Sequence, residues 1–272
     1  MLKHSHGSGP VPIALTIAGS DSGGGAGLQA DLKTFGALGV HGTSAVTCLT
    51  AQNPKGVFGV KSAGARMVRQ QLEAVFAELP PTAVKTGMLF SAEIISAVAD
   101  FWRRGKKPPL VVDPVMIATS GARLLASAAM EALTRRLLPL ADLITPNVDE
   151  AMALTGLKIS EVEDLRTSAR GLAERFGCAV LVKGGHLTDL TEALDIFYDP
   201  LTKTELLLRA PYVRGVSTHG TGCTYSAAIT AYLARGCGMP EAVTRAKEFI
   251  TQAIAQSYRA AKHSVLNTTW QR

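Results

Sequence analysis

Short apolar runs alternate along the chain with longer segments in which apolar residues recur every three or four positions. The run PIALTIAG (12–19) ends at a glycine and is typical of a buried strand. Leu28, Leu32 and Phe35 then follow one another at helical spacing, which predicts a helix over about 26–39. The first predicted elements are therefore a strand, a glycine-rich loop and a helix.

The same alternation continues along the rest of the sequence. Further strands are predicted at 43–52, 83–89, 109–115, 142–147 and 179–185, with a possible strand pair at 192–199 and 205–211. Helices are predicted at about 68–79, 92–103, 127–138 and 165–176, and two more follow near the end. This order predicts an α/β fold with a mostly parallel central sheet and helices on both faces. We find no linker in the sequence and expect one domain over 11–265, with a flexible N-terminal tail at 1–10 and a C-terminal tail at 266–272.

Composition narrows the class of protein. Hydrophobic residues make up 47% of the 272 residues and charged residues 18%, which is enough apolar material for a large core. The net charge is +6, but the 28 Lys and Arg residues are scattered, so nucleic acid is not indicated, although an anionic ligand such as a nucleotide would suit. No stretch reaches the roughly 18 uninterrupted apolar residues of a membrane span. The cysteines lack CxxC spacing, which favours reduced thiols and a cytoplasmic location (Cys48, Cys178, Cys223 and Cys237).

Polar residues cluster at the predicted strand ends, where open sheets of this kind bind ligands. The loop AGSDSGGGAG (18–27) fits neither the GxxxxGK[ST] phosphate loop nor the GxGxxG dinucleotide turn. Its glycines could simply let strand and helix pack closely, but close approach of the backbone to a small ligand is the better explanation. Gln52, at the end of the next strand, offers a planar amide that suits a heteroaromatic edge, although a polar residue there needs no function.

Two carboxylates and a lysine also lie at strand ends. Asp113 and Glu150 could hold Mg²⁺ through water, because that ion takes few protein ligands. Glu150 could instead be a favourable acid in the first turn of a helix. Lys183 ends an apolar strand and precedes two glycines, so it could contact a phosphate or could simply extend to solvent.

The segment GTGC (220–223) carries the most specific signal. A helix is predicted to start here, so unsatisfied N–H groups would point at one spot and form an anion site. Cys223 is either an ordinary small apolar residue or a thiol that acts beside the bound anion. His219 before it is interpreted as a capping residue and not as a base.

The chain resembles a known family in segments that occur in the same order, namely AGSDSGGGAGLQADLKTF, LTAQN, KTGML, VVDPVM, LITPNxxEA, VKGGH and THGTGCTYSAA. The family is that of the hydroxymethylpyrimidine/phosphomethylpyrimidine kinases of thiamine biosynthesis, in the ribokinase-like superfamily. The resemblance runs from about Ile13 to the last helix. It implies a ribokinase-like fold with the active site at the strand carboxyl ends, and a homodimer. It also implies that ATP and Mg²⁺ serve to phosphorylate 4-amino-5-hydroxymethyl-2-methylpyrimidine and then its monophosphate.

Carried over position by position, the resemblance gives individual residues a role. Those implied to bind the pyrimidine are Gln52, Gly19, Asp21, Ala26, Met88 and Val115, and Thr50 stands where an apolar residue is common. Those implied on the ATP side are Lys183, Asn147 and Thr218, with Asp113 and Glu150 for Mg²⁺. The anion hole is implied at Gly220, Thr221, Gly222 and Cys223. Cys223 stands where related sugar kinases carry an aspartate base, and the helix start is expected to lower its pKa.

Two other functions fit the same residues. Some members of the same subgroup are pyridoxal kinases, which phosphorylate a related hydroxymethyl heteroaromatic ring, and sequence separates the two activities poorly. A non-catalytic small-molecule binding protein that kept the fold is the more distant alternative. The intact GTGC segment, Lys183, Asp113 and Glu150 argue against it.

Overall fold

The computed structural model describes residues 9–116, 125–185, 192–213 and 219–270 of the chain. Within these ranges, nine strands form one sheet. In chain order they are β1 (Ile13–Asp21), β2 (His41–Asn53), β3 (Gly56–Ser62), β4 (Ala83–Thr86), β5 (Leu110–Val112), β6 (Leu143–Ile144), β7 (Ala179–Lys183), β8 (Glu192–Asp199) and β9 (Thr204–Pro211). Across the sheet the order is β3-β2-β1-β4-β5-β6-β7-β8-β9.

The middle of the sheet is parallel and its two ends are antiparallel. β1 pairs in parallel with β2 and β4, and the parallel pairing continues through β5, β6 and β7. β3 joins β2, β8 joins β7 and β9 joins β8 in the antiparallel sense. The predicted α/β fold with a mostly parallel central sheet is therefore confirmed.

Helices follow most of the parallel strands. They are α1 (Gly27–Ala37), α2 (Ala65–Glu78), α3 (Ala92–Trp102), α4 (Ser127–Ala132), α5 (Val148–Thr155), α6 (Val162–Phe176), α7 (Thr221–Ala234) and α8 (Met239–Ala255). A short hairpin of β10 (Tyr258–Ala260) and β11 (His263–Val265) comes after α8. No helix in the described ranges is long and apolar enough to cross a membrane.

The sheet is buried on both faces. On one face, Leu15 and Val112 pack with buried side chains of α2, α3 and α6. On the other face, Ala14 and Val111 pack with side chains of α1, α7 and α8. Because successive residues of a strand point to opposite faces, this double burial explains why the central strands are continuous apolar runs.

The edge strand β3 is not predicted from the sequence. Val57, Phe58 and Val60 on this strand are exposed. A strand is predicted from sequence by the alternation of buried apolar and exposed polar residues. An edge strand with exposed side chains shows no such alternation. Its pairing with β2 places Val57 opposite Gln52, so β3 brings apolar side chains next to a predicted site residue.

The helix predicted over 127–138 is irregular in its second half. It is α-helical only to Ala132, and a π-helical turn (Leu133–Leu137) and a 3-10 turn (Leu138–Leu140) complete the segment. Pro139 accounts for the change, because proline lacks a backbone N–H donor and its ring clashes with the preceding turn of an α-helix.

The residues after β11 are packed against the domain, which differs from the tail expected at 266–272. Leu266 is buried, and Trp270 lies beside Phe249 of α8 with ring centroids 6.5 Å apart. Packing therefore continues beyond the expected boundary at residue 265.

Candidate active site

The carboxyl ends of the parallel strands open into one cavity of about 600 Å³. The ends of β1, β2 and β7, the residues that follow β4 and β5, and the first turn of α7 contribute to its wall. The structure places there every predicted site residue in the described ranges, namely Gly19, Asp21, Ala26, Gln52, Met88, Asp113, Val115, Asn147, Glu150, Lys183, Gly220, Thr221, Gly222 and Cys223. Thr218 lies outside the described residues.

Asp21 organises the glycine-rich loop after β1. Its Oδ1 accepts a hydrogen bond from Gly23 N (2.8 Å). Its Oδ2 accepts hydrogen bonds from Gly25 N (3.1 Å) and Ala26 N (2.8 Å). Burial alone would raise the pKa of Asp21, but His219 and the loop amides outweigh burial and hold that pKa below its usual value. The carboxylate therefore stays ionised, and its oxygens hold the loop in shape.

Close packing explains two glycines at this end of the cavity. A Cβ on Gly19 would lie 2.8 Å from Cys48 Sγ and 2.8 Å from Met88 Cε. A Cβ on Gly27, whose φ is +57°, would lie 2.4 Å from Gly19 O. Strand and helix therefore pack closely at Gly19 and Gly27, and the same packing leaves bare backbone at the cavity wall.

Gln52 stands at the end of β2 in mainly apolar surroundings. Side chains of β3 and Met88 line the same part of the cavity. Thr50 Oγ1 lies 2.7 Å from Ser20 O and 3.3 Å from Gln52 Oε1. The hydroxyl at position 50 has a single proton, and the shorter distance assigns it to Ser20 O of β1. This end of the cavity is therefore an apolar slot with one planar amide.

The turn before α7 requires glycine at position 220. Gly220 is the N-cap of α7 with a φ of +83°, and a Cβ there would lie 1.8 Å from Gly25 O. The two glycine-containing loops therefore pack backbone against backbone. His219 Nε2 lies 3.4 Å from Asp21 Oδ2 beside this contact, so His219 joins the two loops at the cavity wall.

The first turn of α7 has the arrangement of an anion site. The N–H groups of residues 221–223 precede the first helical hydrogen bond and have no helical acceptor. In the part of the chain that the structure describes, the buried Thr221 hydroxyl also has no hydrogen-bond partner. A Cβ on Gly222 would lie 3.3 Å from Lys183 Nζ. Amides without a helical acceptor thus stand close to a lysine ammonium, and both favour an anion.

Cys223 lies in this first turn, at the cavity wall. Burial raises the pKa of its thiol to about 11, and the positive charge of Lys85 offsets only part of that effect. Asp31 and Asp113 act in the same direction as burial. The expectation that the helix start lowers this pKa is therefore wrong, because removal of the thiolate from water outweighs the favourable potential of the helix end.

Asp113 and Lys183 form an ion pair, with 3.0 Å between Oδ1 and Nζ. Asp113 also accepts hydrogen bonds from Thr145 Oγ1 (3.2 Å) and Ser226 Oγ (3.1 Å). Burial alone would raise the pKa of Asp113, but Lys183 and Lys85 outweigh burial and lower it. Since the Lys183 side chain is only 13% exposed, the alternative of a lysine that extends to solvent is wrong.

Glu150 and Asn147 cap α5. Glu150 N donates to Asn147 Oδ1, and Asn147 N donates to Glu150 Oε2, both at 2.9 Å. The alternative of an acid in the first turn of a helix is therefore confirmed for Glu150. Burial raises the pKa of Glu150 to about 7, with Lys183 opposing the rise and Asp113 adding to it. The same carboxyl group also lines the cavity.

The two carboxylates fit an Mg²⁺ ion that keeps much of its water. In the described ranges no group of three or more His, Cys, Asp or Glu residues could hold a metal ion. Mg²⁺, however, is usually bound by one or two carboxylates together with substrate phosphates and water. Repulsion between Asp113 and Glu150 contributes to the raised pKa of Glu150, so a cation near both would be favourable.

Two buried ion pairs at the cavity are not predicted from the sequence. Lys85 Nζ lies 2.8 Å from Asp31 Oδ1, and both side chains are completely buried. Lys247 Nζ lies 2.7 Å from Asp195 Oδ2. A charged residue inside an apolar segment, such as the lysine in AVKTGM (83–88), could have indicated these pairs. A search limited to the ends of strands does not find it.

The end of the cavity formed by β8, β9 and α8 is lined mainly by apolar residues, namely Ala193, Ala210, Pro211, Tyr212, Ile250 and Ile254. Because the strand order runs from β3 to β9, this end is separated from Gln52 by most of the width of the sheet. Cys223 lies between the two ends, near Lys85 of β4 and Asp113 after β5. The cavity therefore has room for two ligands placed end to end, with the thiol between them.

Comparison with known proteins places this cavity in a family. The sequence model of a family described as Phosphomethylpyrimidine kinase matches residues 21–267 of the chain. The chain belongs to this family. A hydroxymethylpyrimidine/phosphomethylpyrimidine kinase of Rhizobium meliloti is 50% identical over 249 residues, which cover 91% of this chain and 92% of the relative. A thiamine biosynthesis bifunctional protein of Geobacter sulfurreducens is 49% identical over 245 residues, and the chain spans about half of that relative (49%).

Solved structures of phosphomethylpyrimidine and pyridoxal kinases share the fold. The phosphomethylpyrimidine kinase from Clostridium difficile has a TM-score of 0.79 at 46% identity, covering 89% of this chain and 99% of the other. A Staphylococcus aureus pyridoxal kinase in complex with AMP-PCP and pyridoxal has a TM-score of 0.87 at 34% identity, covering 97% and 96%. The predicted ribokinase-like fold is therefore confirmed, and the chain is a kinase of the phosphomethylpyrimidine kinase family.

Proposed function

We propose that this kinase transfers the γ-phosphoryl group of ATP to the hydroxymethyl oxygen of 4-amino-5-hydroxymethyl-2-methylpyrimidine. It then phosphorylates the resulting monophosphate to the pyrophosphate used in thiamine biosynthesis. The observation that supports this most directly is one cavity that holds the Gln52 amide, the backbone amides of a helix start and a carboxylate pair with a lysine. Family membership and 50% identity to the Rhizobium meliloti kinase support the choice of substrate.

The Gln52 end of the cavity binds the pyrimidine. The amide offers both a donor and an acceptor, which complement a ring nitrogen and its neighbouring amino group. Met88 and Val115 provide apolar walls, and Gly19 and Ala26 bring bare backbone close to the ring. Asp21 contributes by holding the loop that carries this backbone.

The start of α7 carries the transfer. The amides of residues 220–223 stabilise the phosphoryl group as its charge spreads over three oxygens. In its thiolate form, the Cys223 sulfur accepts the hydroxyl proton as the new P–O bond forms and ADP leaves with the electron pair of the old bond. Burial keeps most of this thiol protonated, so the neighbouring charges determine how readily the thiol loses its proton.

The opposite side of the cavity binds the nucleotide. Lys183, Asn147 and Thr218 contact the ATP phosphates, and the apolar end near Ile250 suits the adenine ring. Asp113 and Glu150 would hold Mg²⁺. When bound, that ion neutralises phosphate charge during the transfer.

Pyridoxal is the second candidate substrate. The specific observation in its favour is the TM-score of 0.87 with the Staphylococcus aureus pyridoxal kinase, which exceeds the 0.79 found with the Clostridium difficile phosphomethylpyrimidine kinase. Both substrates carry a hydroxymethyl group on a nitrogen heteroaromatic ring, so the Gln52 slot and the α7 amides suit both.

Mass analysis of products separates these possibilities. The protein is incubated with Mg·ATP and, in separate reactions, the pyrimidine alcohol, its monophosphate and pyridoxal. We expect both pyrimidines to be converted, with the pyrophosphate as the final product. Pyridoxal phosphate as the only product would support the second candidate, and a monophosphate that is never converted at high ATP would show a simple alcohol kinase.

Assembly and location complete the proposal. One catalytic domain begins near residue 11 and includes the packed residues up to Trp270. Its exposed apolar side chains on β2 and β3, including Leu49 (58% exposed) and Phe58 (70% exposed), support a homodimer. The four cysteines are free thiols, which supports a cytoplasmic location.

A further inference from the structure

Lys85 and Asp31 form a completely buried ion pair that no step above uses. Lys85 comes from β4 and Asp31 from α1, with 2.8 Å between Nζ and Oδ1. Asp31 Oδ2 accepts a second hydrogen bond from Thr16 Oγ1 (2.6 Å). Because the desolvation of two charges costs several kcal/mol per ion, a buried pair of this kind is weak evidence for a role in stability. A role in the chemistry of the cavity is the better explanation of its position.

The pair lies directly beneath the cavity, with its positive side toward the ligands. Lys85 borders the cavity together with Ala18 and Gly87. A Cβ on Gly87 would lie 3.7 Å from Lys85 Nζ and 3.1 Å from Ala18 Cβ, so the ammonium lies close to bare backbone at the cavity wall. Of the three N–H groups on Nζ, one is bonded to Asp31. The ammonium end of the pair, and not the Asp31 carboxylate, therefore borders the cavity.

Four charged groups face Cys223 from the elements around it, namely Lys85 of β4, Asp31 of α1, Asp113 after β5 and Lys183 at the end of β7. Among them, Lys85 has the largest favourable effect on a negative charge at the sulfur, and this effect exceeds the opposing effect of its partner Asp31. Lys85 and Cys223 both border the cavity, whereas Asp31 does not, so the ammonium and not the carboxylate is on the side of the thiol. Lys183 is itself paired with Asp113 and points toward the first turn of α7.

We propose that Lys85, held in place by Asp31, is a positioning residue that keeps a positive charge opposite Cys223 during phosphoryl transfer. The inference rests on the proposed function, in which the Cys223 sulfur accepts the hydroxyl proton. Lys85 gives up no proton in that step, since the proton moves from the substrate oxygen to the sulfur. Burial alone would lower the pKa of Lys85, but Asp31 outweighs burial and keeps the lysine charged.

A paired substitution tests this role without leaving one charge buried and unpaired. Lys85→Met alone would leave Asp31 buried without its partner, and such losses are strongly destabilising. Lys85→Met/Asp31→Asn removes both charges together. A second variant, Lys85→Gln/Asp31→Asn, replaces the ion pair by two amides that can hydrogen-bond. The matched control is Arg136→Met/Asp100→Asn, which removes an ion pair of 2.7 Å at the surface.

The first readout is alkylation of the ligand-free protein by iodoacetamide, followed for each cysteine peptide by mass spectrometry. We expect the rate at Cys223 to fall about tenfold at pH 8 in both paired variants, which corresponds to about one unit of thiol pKa. The pH at which alkylation accelerates should rise by the same amount. Cys237, which is half-buried, is the internal reference and should react as in the wild type.

The second readout is kinetic. We expect kcat for the first transfer to fall about tenfold in both paired variants, with the KM for ATP within twofold of the wild type. A merely structural role would not move the Cys223 alkylation profile while leaving Cys237 unchanged. The surface control should leave both readouts unchanged.

Three outcomes would overturn the assignment. The first is a folded paired variant whose Cys223 alkylation and kcat both change less than threefold. The second is a parallel change at Cys237, which would indicate general loosening. The third is an unequal result in the two paired variants, which would point to packing and not to charge. An inactive wild type would overturn the proposed function itself, whereas an active wild type with unaltered variants overturns only the role of Lys85.

Discussion

Replacement of Gly220 by alanine should damage the fold and the anion site together. The residue has a φ of +83°, a conformation that costs a residue with a Cβ about 1–2 kcal/mol. The new Cβ would lie 1.8 Å from Gly25 O and 2.8 Å from Gly25 C. Neither atom belongs to a flexible side chain, so the two loops must move apart, and overpacking of this kind typically costs a further ~1–3 kcal/mol.

Gly220→Ala is therefore expected to lower the free energy of unfolding by about 2–5 kcal/mol. For a chain of this size, that loss corresponds to a fall in Tm of at least about 4 °C. The displaced amides should also lower kcat by at least about 10²-fold. Gly222→Ala is the matched control for stability, because its Cβ would lie 3.3 Å from the flexible end of Lys183. We expect this control to change the free energy of unfolding by less than about 1 kcal/mol.

Thermal and urea unfolding of both alanine variants measures the first effect, and single-turnover transfer at saturating ligands measures the second. The comparison matters more than either value, because the two glycines lie in one motif and differ in backbone conformation and in what a Cβ would meet. If the two variants unfold within about 1 kcal/mol of each other, the glycine-rich loop separates from the turn at little cost. The steric reasoning would then be refuted.

The other predictions concern the chemistry of the cavity. Gln52→Ala should raise the KM for the pyrimidine by about 5- to 150-fold, the equivalent of ~1–3 kcal/mol, and an equal rise for ATP would contradict its role. Asp113→Asn and Glu150→Gln should each raise the Mg²⁺ concentration needed for half-maximal turnover, and an unchanged metal dependence would remove that residue from the Mg²⁺ site. Because burial raises the pKa of Glu150 to about 7, its contribution to stability is complete below the usual carboxyl pKa and is lost as pH rises through 7. Glu150→Gln should therefore gain Tm relative to the wild type at pH 8 and not at pH 4, as unfolding scans would show. Cys223→Ala should lower kcat by about 10²-fold or more with little change in ATP affinity, and a single-turnover rate within about twofold of the wild type would leave Cys223 as a packing residue. Because the pKa of this thiol is about 11, its alkylation rate should rise steadily from pH 8 to pH 10, and a plateau below pH 9 would contradict the burial argument.

The core of the fold is predictable because burial leaves a pattern in the sequence. β1 and β5 are covered on both faces and therefore appear as continuous apolar runs between glycines and prolines. β3 has exposed side chains and is held by backbone hydrogen bonds to β2, so its residue types carry no comparable signal. The break in the helix near Pro139 depends on how one proline is accommodated, which periodicity does not describe.

The site is predictable to the extent that strand ends define it. Gln52 and Lys183 are polar residues at the ends of apolar strands, and that position alone marks them. Lys85 lies inside such a strand and is recognisable only when Asp31 is known to face it from another element. The raised pKa of Cys223 depends on how completely neighbouring chain segments enclose the thiol, and this is a property of the assembled cavity.

The backbone contact between Gly25 and Gly220 joins two loops that leave the ribosome at different times. Asp21 and His219, which meet beside this contact, are 198 positions apart in the sequence. At synthesis rates of about 5–20 residues per second, roughly 10–40 seconds separate the two loops. During that interval β1 can pair with β2 and β4, but the sheet face that α7 and α8 later cover remains open to solvent. The growing chain is therefore exposed to aggregation before it can bind any ligand, and bound ligand cannot assist its folding until α7 has emerged.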